Sequence, residues 1–133
     1  MAHSGGDLRL AVLGAGKMGG ILIEAFLKQG LVSPKNISAT VQHAAQERKS
    51  IGGGTITLGT DNRAAVRNAD VILLCVKPQT VGQLVDEIKS ELNSEKLLIA
   101  VAASVPTAYI ERRTGANVPV IRAMPNTPAM VGE

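Results

Sequence analysis

The run Gly14-Ala15-Gly16-Lys17-Met18-Gly19 has residue types and a spacing that can do chemistry. G-x-G-x-x-G carries little meaning alone, but here it lies between a β-branched run and an amphipathic one, the strand-to-helix setting in which such a turn holds a pyrophosphate. Gly14 permits the tight turn, Gly16 lets backbone approach the phosphates, and Gly19 lets the helix pack close to the strand. The free N–H groups of the helix start add about half a positive charge. The run is read as a dinucleotide-binding turn, against the plainer alternative of a structural glycine turn.

A site for NAD usually places an Asp or Glu at the end of the second strand, where it accepts hydrogen bonds from the adenosine ribose. Here Val41 is followed by Gln42-His43-Ala44-Ala45. Without that carboxylate a 2′-phosphate is accepted, and Gln42, His43 and Arg48 can donate to it, so NADP(H) is expected as cofactor with NAD(H) as the weaker alternative. His43 and Arg48 equally suit the solvated face of a helix.

The elements that must hold these groups are legible as alternating patterns. β-Branched runs at 8–13, 37–41 and 71–76 are each followed by an amphipathic stretch, at 17–29, 43–50 and 79–92, which reads as a βαβ series. In the first helix Met18, Ile21, Leu22, Ala25 and Phe26 share one face, and Gly30 stands where the helix should end. The 71–76 run is apolar without alternation, as in a central strand covered on both faces. Pro78 suits the entrance of the next helix and Pro106 that of a short one over 107–113, between strands at 97–102 and 118–122. A short strand at 55–58 follows three glycines, and Asp61 is a candidate helix cap. Together these predict an α/β, Rossmann-like, doubly wound fold in three layers, with a mainly parallel sheet of about six strands.

With 133 residues the chain has room for one domain, 1–133. Phe26 and Tyr109 are its only aromatic residues and its net charge of +3 is scattered, so no stacking platform or basic tract for nucleic acid is present. No apolar run approaches a membrane span and the first residues lack a signal-peptide pattern, which places the expectation in the cytoplasm and away from membranes. One cysteine, Cys75, and two histidines make no metal-ligand cluster, so no metal is expected.

Cys75-Val76-Lys77-Pro78-Gln79 and, above all, Arg122-Ala123-Met124-Pro125-Asn126-Thr127-Pro128 complete the set of informative motifs. The second is a stiff loop leaving the carboxyl end of a strand, where open α/β sheets bind ligands, and it suits a pocket wall or a rigid turn capping the sheet. With the glycine turn, these stretches resemble the amino-terminal domain of the pyrroline-5-carboxylate reductases, over the whole chain. That resemblance implies reduction of L-1-pyrroline-5-carboxylate to L-proline by hydride transfer from NAD(P)H, in amino-acid biosynthesis.

Carried over by resemblance, Gly16, Lys17 and Met18 contact the pyrophosphate and Asn62 the adenosine ribose. Val76, Lys77 and Pro78 line the nicotinamide ribose, although Lys77 also suits a solvated strand end. Ala102 and Ala103 lie against the nicotinamide, with Met124, Pro125, Asn126 and Thr127 behind it. The family usually has glycine where this chain has Ser104. Its second, helical domain, which holds the substrate and forms the homo-oligomer, has no counterpart here, so the sequence is read as cut short and nearly inactive alone. No catalytic acid–base pair is assigned. The alternatives are the cofactor domain of a related imine or β-hydroxyacid reductase, and a non-catalytic nucleotide-binding module.

Overall fold

The computed structural model describes residues 8–41, 47–51, 54–101, 105–115 and 117–123. β1 (Leu10–Leu13) enters α1 (Lys17–Lys28) through the glycine turn, and a 3-10 turn at Pro34–Asn36 leads into β2 (Ile37–Thr40). β3 (Glu47–Ile51) and β4 (Gly54–Gly59) precede α2 (Asn62–Arg67) and β5 (Val71–Leu74). Then follow α3 (Pro78–Ile88), β6 (Leu97–Ala100), α4 (Thr107–Thr114) and β7 (Val120–Arg122).

The strands form one seven-stranded sheet in the order β3-β4-β2-β1-β5-β6-β7. Every neighbouring pair is parallel except β3 with β4. The chain winds outward from β1 through β2 and β4, then returns to the other side of β1 as β5. The reversal makes a crevice at the carboxyl end of β1, which is where doubly wound sheets bind ligands.

Alternation along the strands divides the core between the two faces. Leu10 and Val12 join Ile23 of α1, Ile37, Ala39, Ile56 and Leu58 on one face. Ala11 and Leu13 join Val66, Val81, Val85, Ile88 and Ile110 from α2, α3 and α4 on the other. Each of these Val, Leu and Ile side chains removed from water contributes about 1.5–3 kcal/mol. The result is the expected three-layer, doubly wound α/β arrangement.

The helix ends are set locally. Gly30, at φ +70°, terminates α1, with its N–H donating to the Leu27 carbonyl and that of Leu31 to the Phe26 carbonyl. This is the paired closure that a left-handed residue after a helix permits. Asp61 caps α2 as expected, its carboxylate accepting from the Ala64 N–H at 3.0 Å. The far end of α2 is closed from a distance: Lys96 Nζ donates to the carbonyls of Val66, Arg67 and Ala69 at 3.1, 3.1 and 2.6 Å.

One expected element is corrected. The helix predicted over 43–50 is not formed by 47–50, which belong to β3 and pair antiparallel with β4 from Glu47↔Leu58 to Ile51↔Gly54. Only Ile51 among 47–51 is apolar, so no helical stripe stabilises a helix there, whereas Gly52-Gly53 is a two-residue hairpin signal. The pairing adds a seventh, antiparallel strand to the six parallel ones. The 71–76 strand also ends earlier, at Leu74, which frees Cys75, Val76 and Lys77 for the loop above the sheet. Among the described residues no helix is long and apolar enough to cross a membrane.

Candidate functional site

A cleft of about 730 Å³ opens at the carboxyl ends of β1, β2, β4 and β5, and the amino ends of α1, α2 and α3 face it. Gly14 and Gly16 come from the turn after β1, and Thr40 and Val41 from the end of β2. Thr60 and Asn62 enter at the start of α2, and Cys75, Val76 and Lys77 follow β5. Thr80, Gln83, Leu84 and Glu87 of α3 form the remaining wall.

The glycine turn is tied to β2. The N–H groups of Gly14 and Ala15 both donate to the Thr40 carbonyl, at 3.0 and 2.7 Å. Gly16 then caps α1 without a side-chain acceptor, and the first turn holds no acid. The first helical bond runs from the Gly20 N–H to the Gly16 carbonyl at 2.9 Å. The N–H groups of Lys17, Met18 and Gly19 therefore have no acceptor within the helix, which leaves them to an anion in front of it. Among the described residues a β-carbon on Gly16 would meet nothing within 4 Å, so these leave the space before the helix open. A β-carbon on Gly19 would instead stand 3.2 Å from both the Gly14 carbonyl oxygen and Val12 Cγ1. Gly16 thus borders ligand space, while Gly19 lets α1 lie against β1.

A hydrogen-bonded chain crosses the cleft. Thr40, only 3% exposed, donates its hydroxyl to Asn62 Oδ1 at 2.5 Å and accepts from the Gly14 N–H at 3.4 Å. Asn62 Nδ2 faces both Glu87 oxygens at 3.4 Å. The floor has a different character. Burial pushes the Cys75 thiol up to about 12, so it stays protonated and is not a nucleophile at neutral pH. Lys77 caps α3 with its side chain exposed, and Pro78 takes the first helical position, where its missing N–H costs nothing.

Of the residues singled out in the sequence, Gly14, Gly16, Asn62, Val76 and Lys77 therefore meet in one cleft. Lys17, Met18 and Gly19 form the first turn of the helix at its mouth, and Pro78 opens α3 beside it. Gln42, His43, Ala102, Ala103, Ser104, Met124, Pro125, Asn126 and Thr127 lie outside the described residues. Arg48 lies in β3, opposite Thr57. Sequence reasoning missed Thr40, Thr60 and the α3 wall. For α3 a signal was present: Thr80, Gln83 and Glu87 recur at i, i+3 and i+7, a polar stripe beside the apolar one.

A family model described as "NADP oxidoreductase coenzyme F420-dependent" matches residues 9–104. A pyrroline-5-carboxylate reductase of Methanosarcina acetivorans is 38% identical to the chain, over 94% of this chain and 46% of that protein. One of Pseudomonas aeruginosa is also 38% identical, over 92% of this chain and 45% of that protein. A crystal structure of Plasmodium falciparum pyrroline carboxylate reductase with NADP bound superposes with a TM-score of 0.81 at 26% identity, covering 98% of this chain and 47% of that one. The chain thus spans about half the length of the curated relatives it matches.

Proposed function

Since the chain belongs to the family of coenzyme F420-dependent NADP oxidoreductases, we propose that it is the cofactor-holding half of a pyrroline-5-carboxylate reductase, binding NADP(H) with NAD(H) as the weaker ligand. The observation that carries this reading is the uncapped start of α1 behind an open Gly16, at the switch point of the sheet. A nicotinamide bound there supplies a hydride to the carbon of a C=N bond.

This chain's own residues hold and orient. The first turn of α1 takes the pyrophosphate, Asn62 the adenosine ribose, and Val76, Lys77 and Pro78 the nicotinamide ribose. The half-buried, protonated Cys75 adds no competing charge under that ribose. Ala102 and Ala103, with Met124, Pro125, Asn126 and Thr127, complete the nicotinamide pocket in this reading. Substrate groups come from further polypeptide, in a cytoplasmic homo-oligomer.

The test is NADPH oxidation with L-1-pyrroline-5-carboxylate, with and without a separately supplied carboxyl-terminal half of a relative. The chain alone should bind NADPH yet turn over very poorly, because orienting the reactants is worth about 7–11 kcal/mol of barrier. Full activity from the chain alone would overturn the division of labour, and failure to bind NADPH would overturn the cofactor assignment.

A further inference from the structure

We propose that Glu87 is the positioning residue of the adenosine end of the cleft, its carboxylate deciding which way the Asn62 amide points. The inference rests on the cofactor reading above and deepens it. Asn62 lies between two partners, Thr40 Oγ1 at 2.5 Å from its Oδ1 and the two Glu87 oxygens, each 3.4 Å from its Nδ2. The two ends of an amide are nearly the same shape, so partners alone choose its orientation. A hydroxyl can donate or accept, whereas an ionised carboxylate only accepts. The two ends of this chain therefore have fixed roles, the Gly14 N–H as donor and Glu87 as acceptor, and Glu87 is the end that faces the amide.

The consequence travels inward. With the Asn62 NH₂ turned to Glu87, its oxygen faces Thr40, so the Thr40 proton is committed to Asn62 and a Thr40 lone pair is left for the Gly14 N–H. An acid on α3 thus sets the donor direction as far as the Thr40 hydroxyl. Facing the ligand is an edge rich in acceptors: the second lone pair of Asn62 Oδ1 and the unused lone pairs of Glu87. Such an edge suits a hydroxyl donor of the ribose. The adenosine 3′-hydroxyl is common to NADPH and NADH, so Glu87 supports both cofactors alike.

The experiment compares wild-type protein with Glu87→Gln by calorimetry, using NADPH, NADH, 5′-AMP and reduced nicotinamide mononucleotide. The introduced glutamine can donate to a flipped Asn62 and release the Thr40 proton. NADPH, NADH and 5′-AMP should each bind about tenfold more weakly, with the mononucleotide unchanged. Asn62→Asp sets two carboxylates face to face and should weaken 5′-AMP further. Combining Asn62→Asp with Glu87→Gln restores one donor to one acceptor, and in that double variant 5′-AMP binding should recover toward the level of Glu87→Gln alone. Glu87 is exposed and its replacement isosteric, so thermal melts serve as the folding control. Unchanged 5′-AMP affinity in Glu87→Gln, tighter NADPH binding alone, or loss of mononucleotide affinity as well would each overturn the proposal. In those cases wild-type NADPH binding that is abolished by Gly16→Val keeps the cofactor reading intact. A wild-type protein that binds none of the four probes removes both.

Discussion

Gly14 and Val76 approach so closely that no side chain fits between them: a β-carbon on Gly14 would lie 2.5 Å from Val76 Cγ1. Gly14 also turns at φ +83°, in the left-handed region. The contact joins the end of β1 to the loop after β5, its parallel neighbour, at the crevice of the sheet. The first glycine of the turn is thus demanded twice, by backbone conformation and by the opposite wall of the cleft.

Gly14→Ala should accordingly lower stability by about 3 kcal/mol, the sum of left-handed strain and overpacking. Measured in a Val76→Ala background, the same substitution should cost less, keeping the strain of roughly 1–2 kcal/mol and the 3.3 Å approaches to the Cys75 backbone. Guanidinium denaturation of the four proteins of this cycle checks it, and equal costs in both backgrounds would show that Val76 is not the obstacle.

Gly16 makes the opposite prediction, because among the described residues nothing lies within 4 Å of where its β-carbon would go. Gly16→Val should keep the circular dichroism spectrum and melting temperature near wild type while abolishing NADPH binding, since the branched side chain fills the approach to the helix start. Undiminished binding by the folded variant would move the phosphate site elsewhere.

Cys75 should react slowly with iodoacetamide. Its thiol titrates at about 12 because burial disfavours the thiolate, so at pH 8 nearly every molecule is protonated. As pH rises the thiolate fraction grows, and alkylation should accelerate about tenfold per pH unit without levelling off near 9, provided the fold persists. Rates followed by mass spectrometry test this, and bound NADPH should slow them further because Cys75 lines the cleft.

The cofactor preference is expected to hang on the residues after Val41. NADPH should bind more tightly than NADH, and His43→Asp should shift the ratio by about tenfold toward NADH through repulsion of the 2′-phosphate. Titration of both cofactors against both proteins decides it. Equal affinities, unchanged by the substitution, would show that the adenosine end is not recognised through this segment.

What the sequence determined by itself is local. The glycine turn between strand and helix, the end of α1 at Gly30, the Asp61 cap and the apolar central strand each depend on near-neighbour sterics and on hydrophobic period, which a linear reading contains. Only the tertiary structure decided the wall of the cleft. Thr40, Asn62 and Glu87 stand 22 and 25 residues apart in sequence and meet because β2 is seated between β1 and β4 while α2 and α3 cover the same face. β3 is the same lesson for an element. Its residues lack the apolar stripe that would make a helix of them, and their strand conformation comes from the backbone partners that β4 offers along the sheet edge. Pairing of that kind is satisfied only between segments already brought together, so it depends on the order of the whole sheet and not on the residues alone.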